Sequence, residues 1–414
     1  MNDMTLKDVE RFDMHKDIRV MSWYLRLLTW LISYPDVWKH KEKVNKTGMK
    51  GLKPPYLLLG NHNAFLDFKT ATVAIFPHRA SNIVAIDGFL KREWLLRAVG
   101  CVCKRKFTSD MVLIKHLMKL IKRGEIVTLY PEARYSLCGT TAIIPDSLGK
   151  LVKHLHVPVV TLITRGHHIN SPFWNLTERN NRTEADMTQI ITSDEIEKLT
   201  VEQIMSRINK AFVYDDFKWQ LDNRISVTYP KRAEGLHKVL YQCPHCMKEY
   251  MMSSEGTILT CNSCHKQWNM NEYGQLEALD KNTEFSHIPD WYEWERKQVR
   301  DQIDAGTYCF DKEVRIDSLP NAVGYVDLGG GRLIHNMDGF TLTGISDSEQ
   351  FKMEWPAKIQ YSCHIEYDYL GKYGDCVDLN TLTDTLYIYP KGNDFSVTKL
   401  SLATEELYKK YNGK

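Results

Sequence analysis

The sequence predicts an α/β domain with a mixed sheet and flanking helices, followed by a four-cysteine ribbon and a mostly β C-terminal domain. Three observations carry this. From about Lys53 to Gly166, short apolar runs alternate with helical stretches, the pattern of a sheet with helices packed on it. Two C-x-x-C pairs lie between Cys243 and Cys264. Beyond Ile303 the chain breaks into short alternating segments separated by turn signals. The boundaries read as 1–45 for an N-terminal amphipathic region, 46–235 for the α/β domain, 236–280 for the ribbon, and 281–414 for a helix plus the β-rich part.

A chain of 414 residues is long enough for two or three domains. A hydrophobic share of 43% and a charged share of 26% suit globular cores. The net charge of +2 gives no reason to expect electrostatic capture of nucleic acid. No run reaches the ~20 apolar residues of a membrane span. The opening MNDMTLKDVERFDMHKD lacks the basic-then-apolar pattern of a signal peptide, so a cytoplasmic location is expected. The ten cysteines then read as thiols or metal ligands rather than disulfides.

The first element is Val20 to Tyr34. Val20, Trp23, Tyr24, Leu27, Leu28 and Leu31 recur at helical spacing, and Pro35 is expected to end the helix. Trp38, Lys39, Lys41 and Lys43 follow. Tryptophans beside basic residues suit a helix lying in a membrane interface; an ordinary core helix fits the spacing as well. Strands are predicted at Tyr56–Leu59, Asn82–Ala85, Ile126–Tyr130 and Val157–Ile163, with helices at Leu90–Val99 and Asp110–Arg123.

The first strand runs into LLLGNHNAFLDF, where His62 and Asp67 are spaced H-x4-D. Five residues of α-helix turn through roughly 500°, which would point the two side chains apart. A strand–loop–helix corner instead brings them together, with Asp67 accepting the His62 Nδ1–H and leaving Nε2 as a base. Lys104, Arg105 and Lys106 form a cationic cluster suited to a phosphate. LYPEARYS then places Glu132 and Arg134 at a strand end, where Arg134 is able to meet a phosphate oxygen or Glu132. Cys101, Cys103 and Cys138 read as small buried hydrophobes rather than nucleophiles.

The order of these segments resembles the phospholipid/glycerol acyltransferase family, in the manner of 1-acylglycerol-3-phosphate O-acyltransferases, over roughly the first 230 residues. NHNAFLD resembles its NH-x4-D block, GCVCKRK its G-x-I-F-I-x-R block, YPEARYS its F-P-E-G-T-R-S block and VPVVTLI its fourth block. Ala133 stands for the family glycine, Arg134 for threonine and Tyr135 for arginine. The resemblance implies His62 as general base oriented by Asp67. It implies Asn61, Arg105, Lys106, Glu132 and Arg134 as substrate-binding residues, with Arg105 or Lys106 on the acceptor phosphate. It further implies a fatty acyl group passing from acyl-CoA or acyl-carrier protein to a lysophosphatidate-like hydroxyl in phospholipid biosynthesis. No catalytic cofactor is needed, and the place is peripheral on the inner face of the cell membrane.

Cys243, Cys246, Cys261 and Cys264 read as the four ligands of a structural zinc ribbon, closed by a hairpin turning at Ser254–Gly256. Iron is the rival metal. The ribbon holds Lys248 and Lys266 but also Glu249, Glu255 and Glu272, so bracing neighbouring domains is favoured over nucleic-acid binding. His287 to Ile303 predicts an amphipathic helix. VRIDSL, AVGYVDL, RLIHNM, GFTLTGI, KIQYSCHIEYDYL, DTLYIYP and FSVTKLS predict seven strands, with turns at Gly329–Gly331 and Asp338–Gly339 and a closing helix at TEELYKKY. That pattern resembles a pleckstrin-homology-like or GRAM-like domain. Two other classes stay open: a non-catalytic lipid- or acyl-carrier-binding module, motivated by the altered third block, and a ribbon scaffold associated with nucleic acid.

Overall fold

The computed structural model describes residues 9–346 and 349–413; residues 1–8 of the N-terminal region lie outside them. A seven-stranded mixed sheet forms the first body. Its strands are β1 (Lys43–Thr47), β2 (Leu57–Gly60), β3 (Ala80–Ala85), β4 (Val102–Lys104), β5 (Ile126–Leu129), β6 (Val159–Arg165) and β7 (Glu184–Ile191). The spatial order is β1-β7-β6-β2-β5-β3-β4. All pairs are parallel except β6 with β7. Alternation along β2 explains the layering. Leu57 and Leu59 pack under the helices Met111–Lys122 and Ser147–Leu155, whereas Tyr56 and Leu58 face the helix Leu66–Ile75.

The N-terminal helix runs from Trp23 to Lys39, past Pro35, which corrects the expected stop. The carbonyl that Pro35 leaves without a partner belongs to Leu31, a residue on the exposed side where water can take the bond. The helix expected from Leu90 starts only at Glu93.

The ribbon is a four-stranded antiparallel sheet of β8 (Met252–Glu255), β9 (Ile258–Cys261), β10 (Gln267–Met270) and β11 (Leu276–Ala278). The helix Ile288–Asp304 follows. The second seven-stranded sheet is antiparallel throughout. Its strands are β12 (Phe310–Ser318), β13 (Val326–Asn336), β14 (Gly339–Ser346), β15 (Glu349–Pro356), β16 (His364–Glu366), β17 (Cys376–Asn380) and β18 (Thr385–Pro390), in the order β15-β14-β13-β12-β18-β17-β16.

Seven strands were expected and seven are present, but three segments differ. Gly329–Gly331 is no turn: AVGYVDL and RLIHNM join into the single strand β13. The register of β12 and β13 shifts at Ile316/Asp317, and the glycines admit that irregularity. FSVTKLS is no strand: Ser396 caps the helix Val397–Tyr411, accepting from the Lys399 N–H. The strands β15 and β17 take their places in the sheet.

One buried cluster runs through the ribbon, the helix Ile288–Asp304, the second sheet and the closing helix. It also takes in Leu137, Phe173 and Phe217 of the first body. The second sheet is therefore packed against the face on which β2 and β5 end, and this sets the site between the two sheets.

Candidate active site

β2 ends at Gly60, and the next residues turn sharply into the helix Leu66–Ile75. Asn61 anchors the corner. Its Nδ2 donates to the Thr164 carbonyl at 2.9 Å and its Oδ1 accepts from the Thr164 N–H at 2.8 Å. His62 and Asp67 meet across the corner, with Nδ1 of the ring 3.1 Å from Asp67 Oδ2. The same carboxylate oxygen accepts from the backbone N–H groups of Asn63 and Ala64 at 2.6 and 2.9 Å. The turn itself therefore fixes where Asp67 points.

The other oxygen of Asp67 reaches a second histidine. His167 Nδ1 lies 2.6 Å from Asp67 Oδ1, and His167 Nε2 lies 3.2 Å from Glu42 Oε1. Both ring nitrogens face carboxylate oxygens, so both carry protons and the ring is a cation. Burial opposes that charge, but Glu42 and Asp67 outweigh it and hold the His167 pKa at about 10. Burial would likewise raise the Asp67 pKa, yet the hydrogen bonds from His167 and His62 keep it well below the usual carboxylate range. Asp67 is thus a permanent anion that fixes His62 through Nδ1 and leaves Nε2 free. His167 and Glu42 escaped the motif reading because they join the site only through the fold; the sole sequence signal is the His167–His168 pair after β6.

The His62 ring lies between two tyrosines, Tyr130 and Tyr135, each with its ring centroid 4.3 Å away. About a quarter of the side chain stays exposed. It opens onto a cleft of about 1080 Å³ between the first body and the second sheet. One part of the cleft is apolar, lined by Leu113, Ile114, Leu117, Leu148 and Leu151. The opposite wall comes from the second sheet and includes His364, Glu366 and Tyr369.

The third block holds the loop under His62. Ser136 N–H donates to the His62 carbonyl at 2.8 Å. Glu132, fully buried, accepts from the His62 N–H, the Ala142 N–H and the Tyr214 hydroxyl, each at 3.2 Å. Burial raises its pKa to about 8 against these bonds. Ala133 sits at φ +55°, the left-handed region that favours glycine, which is why a glycine is natural where this chain has alanine.

Three expected substrate contacts are corrected. Asn61 and Glu132 do not line the cleft; they are framework, consumed by the bonds above. Arg105 does not line it either. Lys104, the last residue of β4, and Lys106 in the turn beyond it line the cleft, and Arg105 between them does not. Its buried guanidinium donates to the carbonyls of Leu319 and Pro320 and to Thr385 Oγ1. Lys106 lines the cleft with its ammonium between Asp87 and Asp378, at 3.0 and 3.1 Å. Arg134 lines the cleft, and its Nη2 donates to Glu405 Oε1 at 2.7 Å. Its Nε and Nη1 have no hydrogen-bond partner among the described residues. Cys101 and Cys138 are buried thiols with pKa values pushed up to about 12 by burial, inert as nucleophiles at neutral pH.

A second site lies in the ribbon. The sulfurs of Cys243, Cys246, Cys261 and Cys264 all fall within 4.8 Å of one another. Cys243 and Cys264 are 3.8 Å apart, and Cys246 and Cys261 3.7 Å. A tetrahedral ion with metal–sulfur bonds of about 2.3 Å needs ligand sulfurs about 3.8 Å apart. The cluster fits a metal ion.

Residues 38–165 match the family model described as Acyltransferase. Among solved structures, the 1-acyl-sn-glycerophosphate (LPA) acyltransferase PlsC from Thermotoga maritima is similar at 13% sequence identity and a TM-score of 0.38, over 46% of this chain and 77% of that one. No curated protein matches the chain.

Proposed function

We propose that the protein is an O-acyltransferase. It moves a fatty acyl group from a thioester, acyl-CoA or an acyl-carrier protein, onto a hydroxyl of a lysophospholipid at a membrane surface. The observation that carries this is the His62–Asp67–His167–Glu42 relay opening onto a cleft with one apolar and one polar end.

His62 Nε2 takes the proton of the acceptor hydroxyl as that oxygen attacks the thioester carbonyl. The tetrahedral intermediate then expels the thiolate, which recovers the proton from His62. The acyl chain lies along Leu113, Leu117, Leu148 and Leu151, and the acceptor's phosphate meets the unpartnered N–H groups of Arg134. An acceptor of the lysophosphatidate type, as the resemblance implies, satisfies both ends of the cleft and would place the reaction in phospholipid synthesis.

Two further supports concern surroundings. Trp23, Leu27, Leu28, Leu31, Ile32 and Trp38 are exposed along the N-terminal helix, and Phe65 and Met111 are exposed at residues that also line the cleft. Such a face, with exposed Lys41 and Lys43 at its end, suits shallow insertion into a bilayer. No helix among the described residues is long and apolar enough to cross one. In the ribbon, zinc suits four thiolates with no open position, a structural role.

Purified protein incubated with radiolabelled acyl-CoA and lysophospholipid should form diacyl product. His62→Ala should lower kcat by a factor of at least about 10² to 10⁴, the usual worth of a general base, while metal content and thermal unfolding stay as in the parent. Full turnover by His62→Ala would remove the assignment.

A further inference from the structure

The second sheet does more than cover the cleft; it changes the chemistry of the acceptor end. Of the cations that the family resemblance assigns to a phosphate, Arg105 lies away from the cleft and donates from both terminal nitrogens to backbone carbonyls and Thr385. Lys106 is held by two carboxylates. Tyr135, at the family arginine's position, stacks on His62. Arg105 Nε also lacks a partner but lies away from the cleft, whereas Arg134 lines the cleft and has unpartnered N–H groups on Nε and Nη1 among the described residues.

Beyond it the polarity reverses. Asp87, Asp378 and Glu366 set three carboxylates against the single ammonium of Lys106, and Asp87 and Glu366 line the cleft. His364, about 95% buried, lines the same wall. Its Nε2 lies 2.8 Å from Glu366 Oε1, and its Nδ1 has no hydrogen-bond partner among the described residues. The tyrosine faces of Tyr135 and Tyr369 complete the enclosure. A chain of ring contacts links the wall to the base: the Tyr135 ring touches His62 and is 6.0 Å from Phe173, whose ring is 6.2 Å from His364.

A phosphomonoester dianion brings acceptors and negative charge, and in this wall the carboxylates outnumber the Lys106 ammonium that they hold. An unpartnered ring nitrogen beside carboxylates that line the cleft calls for a polar ligand, and the carboxylates call for one that donates. We propose that the acceptor's phosphate is a diester held at Arg134, and that its outer substituent, bound by His364, Glu366 and Asp87 of this wall, carries hydrogen-bond donors: an ammonium or hydroxyl groups. The inference rests on the acyl-transfer reading for where the acceptor lies. The second sheet then acts as the specificity element of the domain in front of it.

Binding separates the two ideas, because without an acyl donor nothing turns over. The full-length protein is titrated calorimetrically with short-chain 1-acyl lysolipids kept below their micelle concentrations. The probes are lysophosphatidate and its ethanolamine, glycerol and choline esters. The ethanolamine or the glycerol ester should bind at least about tenfold more tightly than lysophosphatidate, as expected where a buried polar group rejects a ligand lacking its partner. The better of the two identifies ammonium or hydroxyl as the source of the donors. The choline ester, cationic but without N–H groups, should bind more weakly than the ethanolamine ester. Glu366→Gln should reduce the preference over lysophosphatidate by about tenfold. Lysophosphatidate binding as tightly as the best ester, or no binding of any ester, overturns the proposal. If the binding order holds but no acceptor is acylated when acyl-CoA is added, the catalytic reading fails and the wall's specificity stands.

Discussion

Asp67 is the pivot of the site because it is a buried carboxylate that faces five donors. Two backbone N–H groups, Thr164 Oγ1 and two imidazoles all point at its two oxygens. An anion so held does not take up a proton in the physiological range, so it orients His62 without competing for the proton that His62 must carry. His167 balances the buried charge. Its folded pKa of about 10 lies above the ordinary 6.5. The stabilisation it gives is fully present below 6.5 and is lost as pH rises toward 10. The direct check is nuclear magnetic resonance of ring nitrogens. At about pH 8, where unperturbed histidines are neutral, one ring should still show protons on both nitrogens, and that signal should vanish in His167→Gln. A neutral His167 at that pH would mean that Asp67 and Glu42 are not both anions. The H-x4-D spacing made His62 and Asp67 legible in the sequence. The partner 100 residues away was not, because only the parallel pairing of β2 with β6 and the turn after β6 deliver His167 to the corner.

Elements whose residues are held by local periodicity were read correctly, and those decided by tertiary contact were not. β2, β3, β5 and β6 are short apolar runs buried on both faces, and each lies within a few residues of its expected place. The glycine run at 329–331 was misread because glycine signals a turn and a close backbone approach equally well. Here it is the second. A Cβ on Gly331 would lie 2.4 Å from the Thr343 carbonyl oxygen and 2.7 Å from Ile316 Cδ1, whereas one on Gly330 meets nothing nearer than 3.9 Å. Gly331→Ala should therefore destabilise the protein by about 1–3 kcal/mol, the usual cost of overpacking, and Gly330→Ala should be nearly neutral. Urea unfolding compares them, and equal midpoints would show that β13 and β14 are not so close. The same tension explains FSVTKLS. Its alternation reads as a strand, but Ser396 caps a helix whose Leu400 and Leu407 complete the core beneath the second sheet.

At the scale of the molecule, the question is whether the ribbon is an ornament or a keystone. Its Trp268 is fully buried against Trp291 of the helix Ile288–Asp304, with ring centroids 5.0 Å apart. That helix in turn carries Arg296 and Arg300 into a charge network with Glu405 and Glu406 of the closing helix, and Glu405 also binds Arg134 beside the cleft. Breaking one partner of a buried pair leaves an uncompensated charge worth about 3–5 kcal/mol, so the ribbon, the helix pair and the catalytic loop have no cheap way to come apart separately. A ribbon this small cannot fold on its own apolar core, and a metal bound by the four cysteines would supply much of its stability. Stripping the metal with a chelator should therefore lower the unfolding temperature of the whole chain. Tryptophan fluorescence and acyl transfer should then be lost together in a single transition at that lower temperature. Two separate transitions, with transfer surviving the first, would show that the ribbon is independent of the site. The continuity of one buried cluster from Leu137 through Trp268 to Leu402 is the physical reason to expect a single transition.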